Sequence, residues 1–298
     1  MTEPLTASVL GLTLRSPLVV GSGLLTDQER NIRRLLAAGV GAVVTKTIHP
    51  NPPEGTDERL HRLPTGLLNS TTYSRRPVTD WCTMLRGFAE EGLPVIANVH
   101  ADSPGELADL VTRVAEAGAP ALELGISCLN EEGGLHDTAE RVARYTRAVR
   151  AVTDLPFSVK LALGEGAAER VAAAVLEGAA AVTISDTIPG LVVDAGTGEV
   201  GLGGVYGYSG PGIKPLVLAE IYQLRRAGVG VPVLASGGVR SAEDVAEYLS
   251  VGAQAVQVYT ALHEDMHGTL AKIQDGFATW IRDRGTSVAE LVGRSVAR

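Results

Sequence analysis

Short apolar runs alternate with amphipathic stretches along most of the chain. The runs are PLVVG (17–21), GAVVTK (41–46), PVIANV (94–99), ALELGI (121–126), FSVKLA (157–162), AAVTIS (180–185), VPVLAS (231–236) and AQAVQV (253–258). They are rich in Val, Ile and Ala and almost continuously hydrophobic, as strands of a parallel sheet are when both faces are covered. Between them the spacing predicts helices. SPGELADLVTRVAEAG opens at Ser103, carries Glu106 in the capping-box position and stops at Gly118. Segments 31–39, 137–152, 166–178, 214–228 and 241–252 follow the same rule, several ending near a glycine, and Ser241 with Asp244 three residues on marks another start.

Eight strands, each leading to a helical crossover, predict an α/β fold: a (β/α)8 TIM barrel forming one domain over residues 1–298. An open doubly wound sheet is the alternative, but no GxGxxG turn follows the first strand. The connections 47–77 and 186–212 are too long for plain links and project from the strand C-terminal ends, where barrel enzymes build their sites. The opening ASVLGLTLRSPL reads as a hairpin closing the bottom of the barrel.

Composition narrows the function. The 298 residues are 45% hydrophobic and 20% charged, ordinary for a soluble globular protein. A net charge of -8 without a basic run argues against nucleic acid as partner. The first ten residues lack a signal-peptide pattern, and no apolar stretch is long enough to span a membrane, so the expected location is the cytoplasm. The two cysteines, Cys82 and Cys128, make neither a zinc pattern nor a redox pair.

The candidate chemistry clusters at strand ends. Gly237 and Gly238 follow the seventh strand and Tyr259 and Thr260 the eighth, so the glycine pair is either a plain turn or part of the usual phosphate corner of a barrel. Lys46 ends the second strand and Lys160 lies inside the fifth. A lysine in an apolar strand is a structural ion pair, a cation aimed at an anionic ligand or intermediate, or a Schiff-base amine. Cys128 stands where the fourth strand opens into a polar loop and is either a buried small hydrophobe or a base. Cys82 reads as core, on a helix beside Trp81. Asn69 and Asn98 offer amides to a heterocycle. No pair among His49, His61, His100 and His136 has metal-ligand spacing, and no metal is assigned.

In order and spacing, VVTKT (43–47), NPPEG with GLLNS (66–70), ELGISCLN (123–130), VKLAL (159–163), SDT (185–187), YSGPGIKP (208–215) and ASGGVRSAEDV (235–245) with VYTAL (258–262) resemble the dihydroorotate dehydrogenase family, most closely its soluble class 1 members. The resemblance implies FMN, with its phosphate on Gly210, Gly237, Gly238, Tyr259 and Thr260. Ser22, Lys46, Thr47, Asn98, Lys160 and Ser185 match positions lining the flavin. Asn69 and Asn130 match amides that hold the substrate, with Lys46 and with Ser70, Thr71, Thr72 and Tyr73 on the same loop. Cys128 matches the catalytic base, with Lys46 and Lys160 beside the reacting centre. A homodimer is implied by analogy.

The chain also departs from the family. Gly125 and Leu129 replace the first Asn and the Pro of Asn-x-Ser-Cys-Pro-Asn, and Asp186-Thr187 stands where the family has Asn-Thr. Losing amide partners and gaining a carboxylate would weaken dihydroorotate, so the expectation is a CH–CH dehydrogenase acting on a different small cyclic substrate. A true dihydroorotate dehydrogenase and, from a different class, a Schiff-base aldolase using Lys160 remain as alternatives. A flavin-binding regulatory subunit is a further one, against which the retained Cys128, Lys46 and Lys160 speak. The EEGG run after the cysteine is closer to the subclass that passes electrons to a separate subunit.

Overall fold

The computed structural model describes residues 4–54, 58–126, 129, 130 and 137–297. Eight parallel strands close into a barrel: β1 (Leu18–Val20), β2 (Ala42–Val44), β3 (Val95–Val99), β4 (Leu122–Gly125), β5 (Phe157–Leu161), β6 (Ala181–Ile184), β7 (Val233–Ser236) and β8 (Ala255–Val258). Each predicted run contains one of them. Their residues are almost all buried, since helices cover the outer face and side chains fill the inner one.

A helix follows every strand: α1 (Glu29–Ala37), α2 (Val78–Glu90), α3 (Pro104–Glu116), α4 (Ala139–Arg150), α5 (Ala167–Leu176), α6 (Lys214–Arg226), α7 (Ala242–Ser250) and α8 (Met266–Arg284). Ser103 caps α3 by accepting from the Glu106 N–H, and Ser241 and Asp244 form a reciprocal capping box on α7. Cys82 lies buried on α2 with Trp81, as expected of a core residue.

The strands Ala7–Val9 and Leu12–Leu14 pair antiparallel. This hairpin meets the residues that lead into β2 and β5: Leu14 packs near Gly41, and Gly11 near Pro156. It therefore seals the barrel at its N-terminal end.

The two long connections are not loops alone. Leu60–Leu63 and Gly66–Asn69 from the connection after β2 join Ile188–Gly190 and Tyr206–Ser209 from the one after β6 in a four-stranded antiparallel sheet. Tyr208, within this sheet, donates its hydroxyl hydrogen to the Thr65 carbonyl at 2.7 Å. The sheet supplies pocket-lining residues from Leu60, Leu67, Asn69 and Ser209, so it roofs the C-terminal mouth.

Candidate active site

The mouth is a cleft, open to solvent, whose walls come from the C-terminal ends of the barrel strands and from the roof sheet. Ser22, Lys46, Thr47, Asn69, Thr71, Thr72, Tyr73, Asn98, Asn130, Lys160, Ser185, Asp186, Thr187, Gly237, Gly238, Tyr259 and Thr260 all line it. Ser70 does not; its backbone and hydroxyl pair with Arg59 at the outer edge of the roof. Cys128, the EEGG run at 131–134 and His136 lie outside the described residues.

One corner of the cleft is built from glycine backbone. Gly238 has φ +72°, and a Cβ there would lie 2.6 Å from the Gly210 carbonyl oxygen. Gly210 has φ +110°, and a Cβ there would meet Gly66 Cα at 2.7 Å. Only glycine fits either position, and Gly237 and Gly238 bring side-chain-free backbone to the cleft wall. Gly210 is thus not on the wall itself but buttresses Gly238. Thr260 donates its hydroxyl hydrogen to Ser209 at 2.9 Å, tying this corner to the roof.

Below the cleft lies a polar network that the sequence reading missed. Glu123, on β4, is buried and accepts from Asn98 Nδ2 at 2.7 Å, Gln257 Nε2 at 2.6 Å and Thr183 Oγ1 at 2.8 Å. Lys160 Nζ stands 3.8 Å from Glu123 Oε1, the oxygen that also accepts from Asn98. An ionised carboxylate only accepts, so both amides must turn their NH2 groups down toward Glu123. Their oxygens are left over. Asn98 Oδ1 and Gln257 Oε1 are buried and have no hydrogen-bond partner among the described residues, and both side chains line the cleft. The signal was present in the sequence: a glutamate in the middle of ALELGI is as anomalous as a lysine in FSVKLA.

Burial pulls the pKa of Lys160 down, but the carboxylates of Asp186 and Glu123 more than offset this, and the net shift is upward. A Schiff-base lysine needs a neutral amine, which this environment disfavours. Lys160 is a fixed cation at the cleft floor. Asp186, which the departure from the family pattern had marked as an added negative charge, is electrostatically matched by it.

Asn69 and Asn130 are brought together. Asn130 Nδ2 donates to Asn69 Oδ1 at 3.2 Å and to the Thr71 carbonyl at 2.7 Å. Asn69 Nδ2 donates to the Gly207 carbonyl, and the Gly207 N–H donates to Asn130 Oδ1, each at 3.0 Å. Thr71 Oγ1 donates to Asn69 Oδ1 at 2.9 Å and lies 3.4 Å from Lys46 Nζ. The amides therefore bind the roof strand, and a substrate ring would use only their remaining capacity. Gly125 also lines the cleft. A Cβ there would make only ordinary contacts, 3.6 Å from His100 Cβ, so the glycine is not demanded by packing and widens the cleft at β4.

The features fit a flavin: glycine backbone where a phosphate would sit, orphaned acceptors facing the N–H of a heterocycle, and a lysine for the charge of a reduced ring. A closed barrel with this floor defines a cofactor-dependent enzyme whose chemistry occurs at the strand C-terminal ends. A family model for dihydroorotate dehydrogenase matches residues 4–281. The chain belongs to that family and is a flavin-dependent oxidoreductase acting on CH–CH donors. It is 30% identical to the catalytic subunit of dihydroorotate dehydrogenase B (NAD(+)) of Pyrococcus abyssi, covering 97% of this chain and 98% of that one. The same-named subunit of Methanocella arvoryzae is 32% identical, with 97% of each covered. That of Anoxybacillus flavithermus is 34% identical over 84% of this chain and 83% of the relative.

Proposed function

We propose that this chain binds FMN and oxidises dihydroorotate to orotate as the catalytic subunit of a two-component enzyme. The observation that carries the reading is the end-to-end match to relatives bearing that name. The expectation of a different ring finds no support in those relatives. The cation of Lys160, whose charged form Asp186 favours electrostatically, also offsets part of the negative charge that Asp186 adds.

FMN, when bound, supplies the hydride acceptor. The glycine corner of Gly237 and Gly238, with Tyr259 and Thr260, holds the phosphate. Asn98 Oδ1 and Gln257 Oε1 accept from the ring system, and Lys160 offsets negative charge that develops there. Ser22, Thr47 and Ser185 complete the flavin wall. Lys46 and the Asn69–Asn130 pair, with Thr71, Thr72, Tyr73 and Thr187, position the substrate. Cys128 takes the proton from the carbon next to the one that gives up hydride. Electrons then leave to a separate subunit that receives them for NAD(+), and the chain itself pairs as a homodimer. No helix among the described residues is long and apolar enough to cross a membrane.

The test is anaerobic mixing of the purified yellow protein with dihydroorotate. Bleaching of the flavin band at a rate consistent with turnover supports the proposal. Gly125 and its opened wall favour one second reading, oxidation of a bulkier cyclic amide. It is adopted instead if dihydroorotate leaves the band unchanged while such an amide bleaches it.

A further inference from the structure

Beside the cleft, two buried imidazoles and a carboxylate converge. His49 follows β2, His100 ends β3, and Asp102 lies two residues further on, before α3. His49 and His100 are 3% and 1% exposed, too little to be solvated, whereas Asp102 reaches solvent. One nitrogen or oxygen from each lies within 4.8 Å of the others. Tyr73 stacks on both rings, at 4.4 Å from His49 and 5.0 Å from His100.

The ring orientations say what the cluster suits. His49 Nδ1 is 2.8 Å from the Asn51 carbonyl oxygen, and His100 Nδ1 is 2.8 Å from that of Gly125. A carbonyl oxygen only accepts, so the His100 N–H sits on Nδ1 and its Nε2 carries a lone pair; at His49 the Asn51 N–H also approaches Nδ1, at 3.2 Å, and the shorter contact to the carbonyl favours the same tautomer. Such a backbone carbonyl behind the ring is what fixes metal-binding histidines elsewhere. His49 Nε2 then faces the Asp102 carboxylate at 3.5 Å, and among the described residues it makes no hydrogen bond. A lone pair opposite an anion is relieved by a cation between them, a proton or a metal ion, and the convergence of His100 on the same point favours the metal. With metal bonds of about 2.0–2.2 Å, tetrahedral ligands stand roughly 3.4 Å apart, close to this separation. The exposed Asp102 side chain can rotate to close the longer distances. Its backbone is held, the carbonyl accepting from the Tyr145 hydroxyl at 2.7 Å.

We propose that His49, His100 and Asp102 form a binding site for a divalent first-row transition ion, zinc being the representative case. Two imidazoles and one carboxylate with a fourth position open to water match zinc better than magnesium or calcium, which take oxygen ligands. The ion would tie the connection after β2 to the end of β3. His100 and Tyr73 line the cleft, so it would stand directly behind the cleft wall and stiffen it.

The test uses the protein as purified, stripped of metal with a chelator. Zinc is titrated against a chromophoric competitor, and thermal unfolding is followed with and without zinc. One equivalent should bind with Kd at or below about 10 μM, raising the unfolding temperature. His49→Gln and Asp102→Asn should each weaken binding by about tenfold or more and lose the zinc-dependent rise. Cobalt(II) should give absorption to the red of the flavin band in the wild type alone. If His49→Gln does not fold, the exposed Asp102→Asn decides. Wild type that takes up no zinc below about 100 μM overturns the proposal, as do variants that bind it equally well.

Discussion

Replacing Glu123 by glutamine keeps the shape of the side chain and changes only its chemistry. In the native floor, one acceptor group satisfies Asn98, Gln257 and Thr183 and stands 3.8 Å from Lys160. A carboxamide brings its own N–H groups into that ring of donors. One native donor must then face another donor or turn away. Losing a hydrogen bond to a charged group, with a buried donor left unmet, costs about 3 kcal/mol together. For a chain of this size that lowers the unfolding temperature by about 5 °C. The effect reaches the cofactor as well. If Asn98 rotates to give its oxygen to the new N–H, its NH2 turns up into the cleft, where an acceptor stood. Flavin affinity should then fall by about tenfold to a hundredfold, or roughly 1.4–2.8 kcal/mol. Differential scanning fluorimetry reads the first effect and fluorescence-quench titration with FMN the second. A Glu123→Gln protein that unfolds with the wild type and binds flavin as tightly would refute the argument that this carboxylate orients the amides.

Three further outcomes are expected. Cys128→Ser should bind FMN but slow flavin reduction by dihydroorotate by about a hundredfold or more, measured by stopped-flow absorbance, because a serine hydroxyl is a far poorer base at neutral pH. Gly238→Ala places a side chain at φ +72° and 2.6 Å from the Gly210 oxygen, so it should purify colourless or nearly so, checked by the flavin-to-protein absorbance ratio. Lys160, whose pKa burial lowers but Asp186 and Glu123 raise further, is more basic folded than unfolded. Its contribution to stability is complete below an ordinary lysine pKa of about 10.4 and lost as pH rises through the higher folded value. Denaturant unfolding of flavin-free protein between neutral pH and pH 11 should show an alkaline loss that is smaller in Lys160→Met.

The barrel was legible because each of its strands is buried on both faces and so is hydrophobic throughout, a pattern that needs no partner to be recognised. The roof was not. Leu60–Leu63 alternates exposed with half-buried residues, Ile188–Gly190 is three residues long, and the two lie on connections far apart in sequence. Only their mutual pairing makes them strands. The glycine corner and the two lysines were readable from residue type and position. Glu123 was passed over because its neighbours Leu122 and Leu124 dominate the run. The approach of His49 to His100 is invisible in linear spacing, because the adjacent strands β2 and β3 bring them together. That Asn69 and Asn130 engage Gly207 and each other depends on the roof, and no local pattern announces it.

The roof sheet has a consequence for how this pocket could be altered. Gly66–Asn69 is hydrogen-bonded to Tyr206–Ser209, so the two connections are halves of a single covering. Lengthening, trimming or transplanting one half strands the other with an unpaired edge and strips Asn69 and Asn130 of their shared peptide. Exchange of specificity with a relative should therefore succeed only when both segments travel together, and natural variation in the one ought to be shadowed by change in the other.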